Sequence, residues 1–549
     1  MCGILCIVTC EGRSIDCGAV ERTAVDRFPE TTVEAQELTP ASFDSTLAHR
    51  GPDVVETASV ACSGASVELF GSLLQLRGST TTRALKRSGQ CVLCFNGELY
   101  SGLSLGEAEN DGDALCAALV AVDTDIVATL SRLRGPWAFA FWDGDTLWFG
   151  RDVFGRRRHA VMSAFLPMCC QLTPVVNLSL LIRRPTAADA RMLLASTVPL
   201  DADAVSGWDE LPPGVYSLPL LATGRPLVCH HDWASGHLQA LWPYRRCPRA
   251  AQAQDVLHAL ECAVADRCRG RPEGEPLMIL FSGGLDSVLL ACLADRSMAP
   301  GVDIDLCNVC FAGGASADRL AARLAVEELR RVAPARVFRL VEINATLQDV
   351  DARRRHLTRL LHPAATVMDL NIGAALHIAA RGRGVVDGAN GPCDYFSSSR
   401  VVLLGTGADE QAAGYGRHRT AFRNGGEAGL VSELVEDVNR LWLRNLGRDD
   451  RLISDVGREA RFPFLDERVV SVLATVPVAA LADLTQPPGI GDKLVLRDIA
   501  RHLGLLETAT RAKRAIQFGS GLSKAANVSL FGSGNQANKR NAGTCRLSV

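Results

Sequence analysis

Lysine is almost missing from this chain of 549 residues: Lys86, Lys493, Lys513, Lys524 and Lys539 are its five, against 53 arginines. No G-x-x-x-x-G-K-[ST] string occurs, which excludes a Walker A phosphate loop. Net charge is also small. The 58 Lys+Arg face 61 Asp+Glu, a formal −3, and leave no electrostatic footprint for nucleic acid or an anionic membrane. No run reaches the roughly 18 apolar residues of a membrane-spanning helix. The start, MCGILCIVTCEG, lacks a basic n-region and has too short an apolar run for a secretory signal. The expected location is cytoplasmic, with no nucleic-acid or membrane partner.

What is present is an ordinary globular composition, 47% hydrophobic and 22% charged. At about 150 residues per domain this predicts two large domains or three smaller ones. The 19 cysteines are odd in number and scattered through apolar segments, which predicts reduced, buried thiols and no disulfide framework. The C-x-x-C pairs Cys91/Cys94 and Cys307/Cys310 sit in strand-like runs. Positions i and i+3 of a strand point to opposite faces, so neither pair is expected to chelate one zinc ion.

The first half reads as closely spaced strands, GILCIV (3–8), QCVLCFNG (90–97), WAFAFWDG (137–144) and DTLWFG (145–150), with a hairpin signal at Asp143-Gly144. Few helical stretches interrupt them, which predicts stacked antiparallel sheets. A Trp-, Pro- and Arg-rich stretch, 232–255, predicts a linker. Beyond it, LMILF (277–281), LCNVCF (306–311), VFRLVEI (337–343) and VVLLGTG (401–407) are strand candidates. The helical patterns VLLACLA (288–294) and ADRLAARLAVEELRRV (317–332) lie among them, which predicts a parallel α/β sheet. The Asn-, Gly- and Ser-rich end, 526–549, predicts a disordered tail.

Two places carry chemistry. After LMILF comes Ser282-Gly283-Gly284-Leu285-Asp286-Ser287. Its glycines allow close backbone approach to an anion. Its serine hydroxyls and the following helix N-terminus can bind phosphate, and Asp286 can hold Mg2+. The second place is Cys2. Loss of Met1 would expose its α-amine, a built-in general base with an unperturbed pKa of about 7.7–8.0. Arg50 in AHRGPD can clamp a carboxylate bidentately. Asn96 and Gly97 in FNGELY offer a side-chain amide and a backbone N–H to an oxyanion. Asp111 in ENDGD can meet a substrate ammonium.

The S-G-G-x-D-S string matches the PP-loop of ATP pyrophosphatases. The M-C-G-I start, R-G-P-D and N-G-E strings, in that order, resemble class II glutamine amidotransferases. Together they resemble the glutamine-hydrolysing asparagine synthetases, and within them the asparagine synthetase domain-containing subfamily. NLGRDDR (445–451), EARFPFLDE (459–467), GIGDK (489–493), KRAIQFGS (513–520), FGRDVFGRR (149–157) and GADEQAAGYGRHR (407–419) fit it too.

The resemblance covers about 1–525. It implies an α+β N-terminal-nucleophile glutaminase of stacked antiparallel sheets (1–235), then an α/β PP-loop ATP pyrophosphatase with a parallel sheet (250–525). It implies Cys2 as nucleophile, Asn96 and Gly97 as oxyanion donors, and Arg50, Glu98 and Asp111 with them in glutamine binding. It implies Ser282, Gly283, Gly284, Asp286, Ser287, Gly405 and Thr406 around ATP, Asp286 and Asp409 on Mg2+, and Lys493 as the catalytic lysine at the α-phosphate. The implied substrates are glutamine, ATP and aspartate. One departure stands out: the family's S-G-E-G-S-D-E has an acidic residue where this chain has Thr406, which cannot serve as a carboxylate base. Two alternatives therefore stand beside asparagine synthesis: an ATP-dependent amide ligase with another acceptor, and a scaffold that keeps the fold without turnover.

Overall fold

The computed structural model describes residues 2–11, 13–20, 43–62, 64–77, 82–106, 109–152, 180–186, 189–199, 207–220, 225–231, 251–364, 366–531 and 547. Most of the expected linker (232–250) and tail (532–546, 548–549) lies outside the described residues.

The N-terminal part is two stacked antiparallel sheets. The first runs Trp208–Glu210, Leu181–Arg183, Met192–Ala195, Gly3–Cys10, Ala65–Leu73, Val54–Cys62. The second runs Cys229–His231, Gly214–Pro219, Thr146–Arg151, Trp137–Trp142, Cys91–Gly97, Leu85–Ser88. Strands such as Gly3–Cys10 and Trp137–Trp142 are apolar almost throughout because alternate residues meet apolar neighbours on both faces. In Gly3–Cys10, Ile4, Cys6 and Val8 enter the space between the sheets beside Cys94, Ala138 and Ala140. Leu5 and Ile7 pack on the other side with Phe43, Leu47 and Trp208, under helix Asp44–Arg50. In WAFAFW the aromatic Trp137, Phe139 and Phe141 turn outward to Leu115, Leu119 and Leu130 of helices Asp111–Val120 and Ile126–Arg132. These three helices, which the strand-dominated sequence reading passed over, cover the outer sheet faces. The described cysteines are all free thiols, and Cys91 and Cys94 do point to different cores.

The C-terminal part holds a seven-stranded sheet in the order Gly391–Phe396, Arg383–Gly388, Phe338–Asn344, Ile304–Cys310, Leu277–Leu280, Val401–Leu403, Glu459–Arg461. Five strands are parallel, and an antiparallel hairpin closes one edge. The sheet is therefore mixed rather than purely parallel. The sequence reading missed the hairpin and the three-residue strand Glu459–Arg461. Chain order reverses between Leu277–Leu280 and Val401–Leu403. In such sheets the crevice beyond the strand ends at that reversal is where ligands bind, and both the S-G-G-x-D-S turn and Gly405-Thr406 emerge there. The tail prediction needs one correction: helix Leu522–Phe531 extends into it.

The two parts meet on helix Gly447–Ser454, whose Arg448, Asp449, Asp450 and Arg451 are all buried. Arg451 pairs with Glu210 of the first sheet, which Arg151 also contacts at 3.0 Å. Arg50 pairs with Asp450 at 3.0 Å. Removing one partner of a buried pair strands the other's charge, at a cost of about 3–5 kcal/mol. Glu210→Ala, which strands both Arg451 and Arg151, is expected to lower stability by about that amount, read from the shift in denaturant midpoint. A loss under about 1 kcal/mol, the worth of an exposed pair, would contradict this account of the seam.

Candidate functional site

Cys2 precedes the central strand of the first sheet and faces Asn96, at the end of strand Cys91–Gly97 in the second. Its backbone N–H donates to Asn96 Oδ1 at 2.8 Å. That bond orients the buried amide so that Nδ2 is left as a donor with no hydrogen-bond partner. A buried, unpartnered N–H beside a thiol is an arrangement that suits an oxyanion. Burial pushes the Cys2 thiol up, and a nearby N-terminal positive charge opposes this.

A small pocket here is lined by Cys2, Gly97, Glu98, Asp111, Arg77 and Glu459, among others. Asp111 accepts from the Leu99 and Gly112 backbone N–H groups at 3.0 and 2.9 Å. Burial raises its carboxyl. Glu98 pairs with Arg77 at 2.6 Å, and burial pushes it up to about 8.

Arg50 is the correction. Its Nη2 meets Asp450 at 3.0 Å, its Nη1 donates to Ser454 Oγ at 2.5 Å, and its Nε reaches the Cys2 carbonyl at 3.4 Å. Three of its five N–H donors are engaged, so the guanidinium ties the Cys2 backbone to the second part of the chain, and Arg50 is not among the residues that line the pocket. Arg77 is the guanidinium that lines the pocket, and sequence reasoning missed it because it stands in no recognisable string. Glu459 was missed because it comes from the other half of the chain, in a strand that brings EARFPFLDE against the N-terminal pocket.

The second place is a cavity of about 1000 Å³ at the switch point, lined by the whole Ser282–Ser287 turn with Gly405, Thr406, Asp409 and Lys493. Gly283 has φ +74°, and a Cβ there would lie 2.3 Å from the Ala322 backbone nitrogen, so the turn admits only glycine. Three separate segments converge on one ammonium. Lys493 Nζ lies 2.8 and 2.6 Å from the two Asp286 oxygens and 2.6 Å from Asp409 Oδ1. Lys513 Nζ lies 2.8 Å from Asp409 Oδ2. Burial alone would raise Asp409, but Lys493 and Lys513 hold it well below the usual carboxylate range. Burial also opposes the Lys493 charge, yet Asp286 and Asp409 keep the ammonium well above its ordinary value. Gly414 is part of this packing: a Cβ there would sit 1.9 Å from Asp409 Oδ1 and 2.4 Å from Lys493 Cε. Arg511 donates to the Gly283 carbonyl at 2.8 Å, so the segment following the lysine folds over the turn.

Thr406 lines this cavity. Its neighbour Glu410 is fully engaged: Oε1 accepts from Tyr415 Oη at 2.6 Å and Asn445 Nδ2 at 3.2 Å, and Oε2 from the Gly407 N–H at 3.1 Å. Asp318, beyond the end of strand Ile304–Cys310, is, with Asp369, Asp437 and Asp449, one of several cavity carboxyls that sequence reasoning missed. It follows Ser316, whose hydroxyl caps helix Ala317–Val332, and the reading stopped at the helix pattern.

The hard oxygen donors Asp286 and Asp409, on loops that meet at one point, suit Mg2+, and Lys493 between them marks a place where positive charge is already accommodated.

A two-sheet sandwich with a cysteine at its first strand, joined to a doubly wound sheet with a glycine-rich turn at its switch point, is an asparagine synthetase-like architecture. The Asparagine synthase family model matches residues 255–361 and 424–529. Asparagine synthetase domain-containing protein 1 of Gallus gallus is 32% identical, over 95% of this chain and 97% of its own length. The Homo sapiens protein of that name is 32% identical, over 82% and 87%. Among solved structures, the glutamine phosphoribosylpyrophosphate amidotransferase of B. subtilis matches at 14% identity over 56% of this chain and 65% of its own, with a TM-score of 0.26. The chain belongs to the family of asparagine synthetase domain-containing protein 1. Among the described residues no helix is long and apolar enough to cross a membrane.

Asp318 gives a pH prediction. Burial pushes its carboxyl up from 3.8 to about 7. The folded protein therefore binds more protons than the unfolded chain between those values, and stability is lost as pH rises through that window. Asp318→Asn should remove the loss. The variant should gain on wild type from about pH 4 to pH 7, by roughly 4 kcal/mol at most. Parallel stability curves for the two proteins across that range would contradict it.

Proposed function

We propose that this chain is a glutamine-dependent, ATP-consuming amidotransferase that hydrolyses glutamine at Cys2 and adenylates a carboxylate, aspartate being the expected one, at the switch-point cavity. The observation that carries the reading is the convergence of Asp286, Asp409 and Lys493 beside a turn that only glycine can make.

At the first site, Met1 is removed and the freed α-amine takes the Cys2 thiol proton. The thiolate attacks the glutamine side-chain carbonyl. Asn96 Nδ2 and the Gly97 N–H stabilise the oxyanion, ammonia leaves, and water releases glutamate from the thioester. Arg77 receives the α-carboxylate of glutamine and Asp111 its ammonium. Cys2→Ala is expected to abolish glutamate release, a loss of about 10⁴-fold or more, while sparing any ammonia-driven reaction. Arg77→Ala should raise KM for glutamine about tenfold or more with a smaller effect on kcat, because binding to an end that does not react is uniform across ground and transition states. Retained Met1 by mass spectrometry, or an unchanged KM in Arg77→Ala, would oppose these assignments.

At the second site, the substrate carboxylate attacks the α-phosphorus of ATP and pyrophosphate leaves; ammonia from the first site then displaces AMP to form the amide. Asp286 and Asp409 would hold Mg2+, which offsets triphosphate charge when bound. Lys493 meets the α-phosphate, and the Ser282–Ser287 turn cradles the departing pyrophosphate, with Gly405 and Thr406 at its rim. Apolar Val309, Met368 and Ile372, which line the same cavity, offer a face to the purine. Asp286→Asn should lower pyrophosphate release about 10²–10³-fold, as loss of a single preorganised electrostatic group does, and leave glutamate release intact. Unchanged pyrophosphate release would remove the assignment.

Thr406 favours a second reading, an amide ligase with another acceptor. Glu410 is already bonded through both oxygens, so it does not replace the missing base. On either reading amide formation from aspartate should lag behind adenylation. Thr406→Glu should raise asparagine yield per pyrophosphate, up to about the 10²–10⁴-fold of general-base assistance, if the acceptor is aspartate. Wild-type asparagine formation in step with pyrophosphate release would refute the deficit.

A further inference from the structure

A cluster away from both pockets fits a metal ion. His49, near the end of helix Asp44–Arg50, His356 in helix Arg354–Leu361 and Asp455, which caps helix Gly447–Ser454, meet at the seam between the two parts of the chain. His49 Nδ1 is 3.3 Å from Asp455 Oδ1, and His356 Nε2 is 2.7 Å from Oδ2. One donor atom from each residue lies within 4.8 Å of the other two. A third imidazole, His377 Nε2 from helix Val367–Ala380, stands 3.0 Å from the same Oδ2. Neither proposed reaction uses any of these groups.

Two imidazole nitrogens and a carboxylate oxygen are the donor set of an open zinc site. Donors around a tetrahedral zinc stand about 3.3 Å apart, given metal–ligand bonds of about 2.0–2.1 Å. His49 Nδ1 and Oδ1 already stand at that separation, His356 Nε2 and Oδ2 need to open by about 0.6 Å, and the donors, all within 4.8 Å of one another, draw in around the ion. The His49 side chain is 54% exposed and gives an entry path, while Asp455 is 6% exposed and gives a fixed anchor. His377 supplies what a ligating carboxylate usually has, a hydrogen-bond donor that sets its orientation.

We propose that His49, His356 and Asp455 bind one Zn2+ ion, with His377 holding the carboxylate from behind, so that the ion clips the N-terminal sandwich to the helix that carries Asp450. The site adds a metal to the seam and leaves the ATP-site Mg2+ untouched. His49 adjoins Arg50, which reaches the Cys2 carbonyl, so the clip sits one residue from the tie to the nucleophile.

The test uses the chelator-treated full chain titrated with Co2+ and then Zn2+. The expected result is one Co2+ per chain with visible d–d absorption and no thiolate charge-transfer band, displaced by Zn2+. His49→Ala removes a largely exposed side chain, and His356→Ala a part-exposed one; each should weaken binding about tenfold or more, the size of effect that even an outer-shell partner commands. Cys393→Ser, at an exposed thiol, should leave binding unchanged. A thiolate band, equal affinity in His49→Ala, or no stoichiometric binding to wild type would overturn the proposal; in the last case the cluster is a hydrogen-bond hub only.

Discussion

Helix Gly447–Ser454 carries Arg448, Asp449, Asp450 and Arg451, four consecutive charged residues, into a place where water does not reach. Three of the charges meet partners from elsewhere, Asp369 for Arg448, Arg50 for Asp450 and Glu210 for Arg451, and Asp449 pairs with Arg448 beside it. Buried pairs contribute little net stability against a well-packed apolar alternative, but a mismatched one is costly. The arrangement therefore selects one docking of the N-terminal sandwich. The N-terminal pocket depends on that docking, and the same helical segment also braces the cavity. Arg50 reaches from Asp450 to the Cys2 carbonyl, and Asn445, just before the helix, reaches Glu410 beside Asp409.

The same logic of paired charge governs the switch-point cavity. Two carboxylates on one sheet's loops would repel, and burial would protonate them. Lys493, from a segment more than two hundred residues after Asp286, opposes this: with Lys513 it holds Asp409 low, while burial still leaves Asp286 raised. In a chain that uses arginine almost everywhere, a compact ammonium on a flexible stem fits between two carboxylates where a planar guanidinium would demand a bidentate face. Thr406 breaks the pattern: it puts a neutral hydroxyl on the cavity wall where the family's string has an acidic residue.

Much of this was legible in the residues. WAFAFW and GILCIV announce strands through period two, and ADRLAARLAVEELRRV announces a helix whose observed span is Ala317–Val332. S-G-G-x-D-S and Lys493 mark segments that the fold does bring together at one cavity. What stayed hidden depends on contacts between distant segments. Arg50 looks like a free clamp until Asp450, 400 residues later, is placed against it. Glu459 and Arg77 belong to no local pattern, and the strand Glu459–Arg461 is too short to show periodicity. The hairpin Arg383–Phe396 carries D-G and N-G signals, but they fall inside one mixed polar stretch with no long apolar run to mark its strands.

The central claim is that the switch-point cavity activates a carboxylate as its adenylate. Aspartate labelled with ¹⁸O in its β-carboxylate, incubated with glutamine, MgATP and the purified chain, tests it directly, because attack on the α-phosphorus leaves a carboxylate oxygen on AMP whether ammonia or water then takes the acyl group. The account predicts AMP carrying one ¹⁸O atom by mass spectrometry. With aspartate as the acceptor, AMP that carries no label, or ATP cleaved only to ADP, would contradict it.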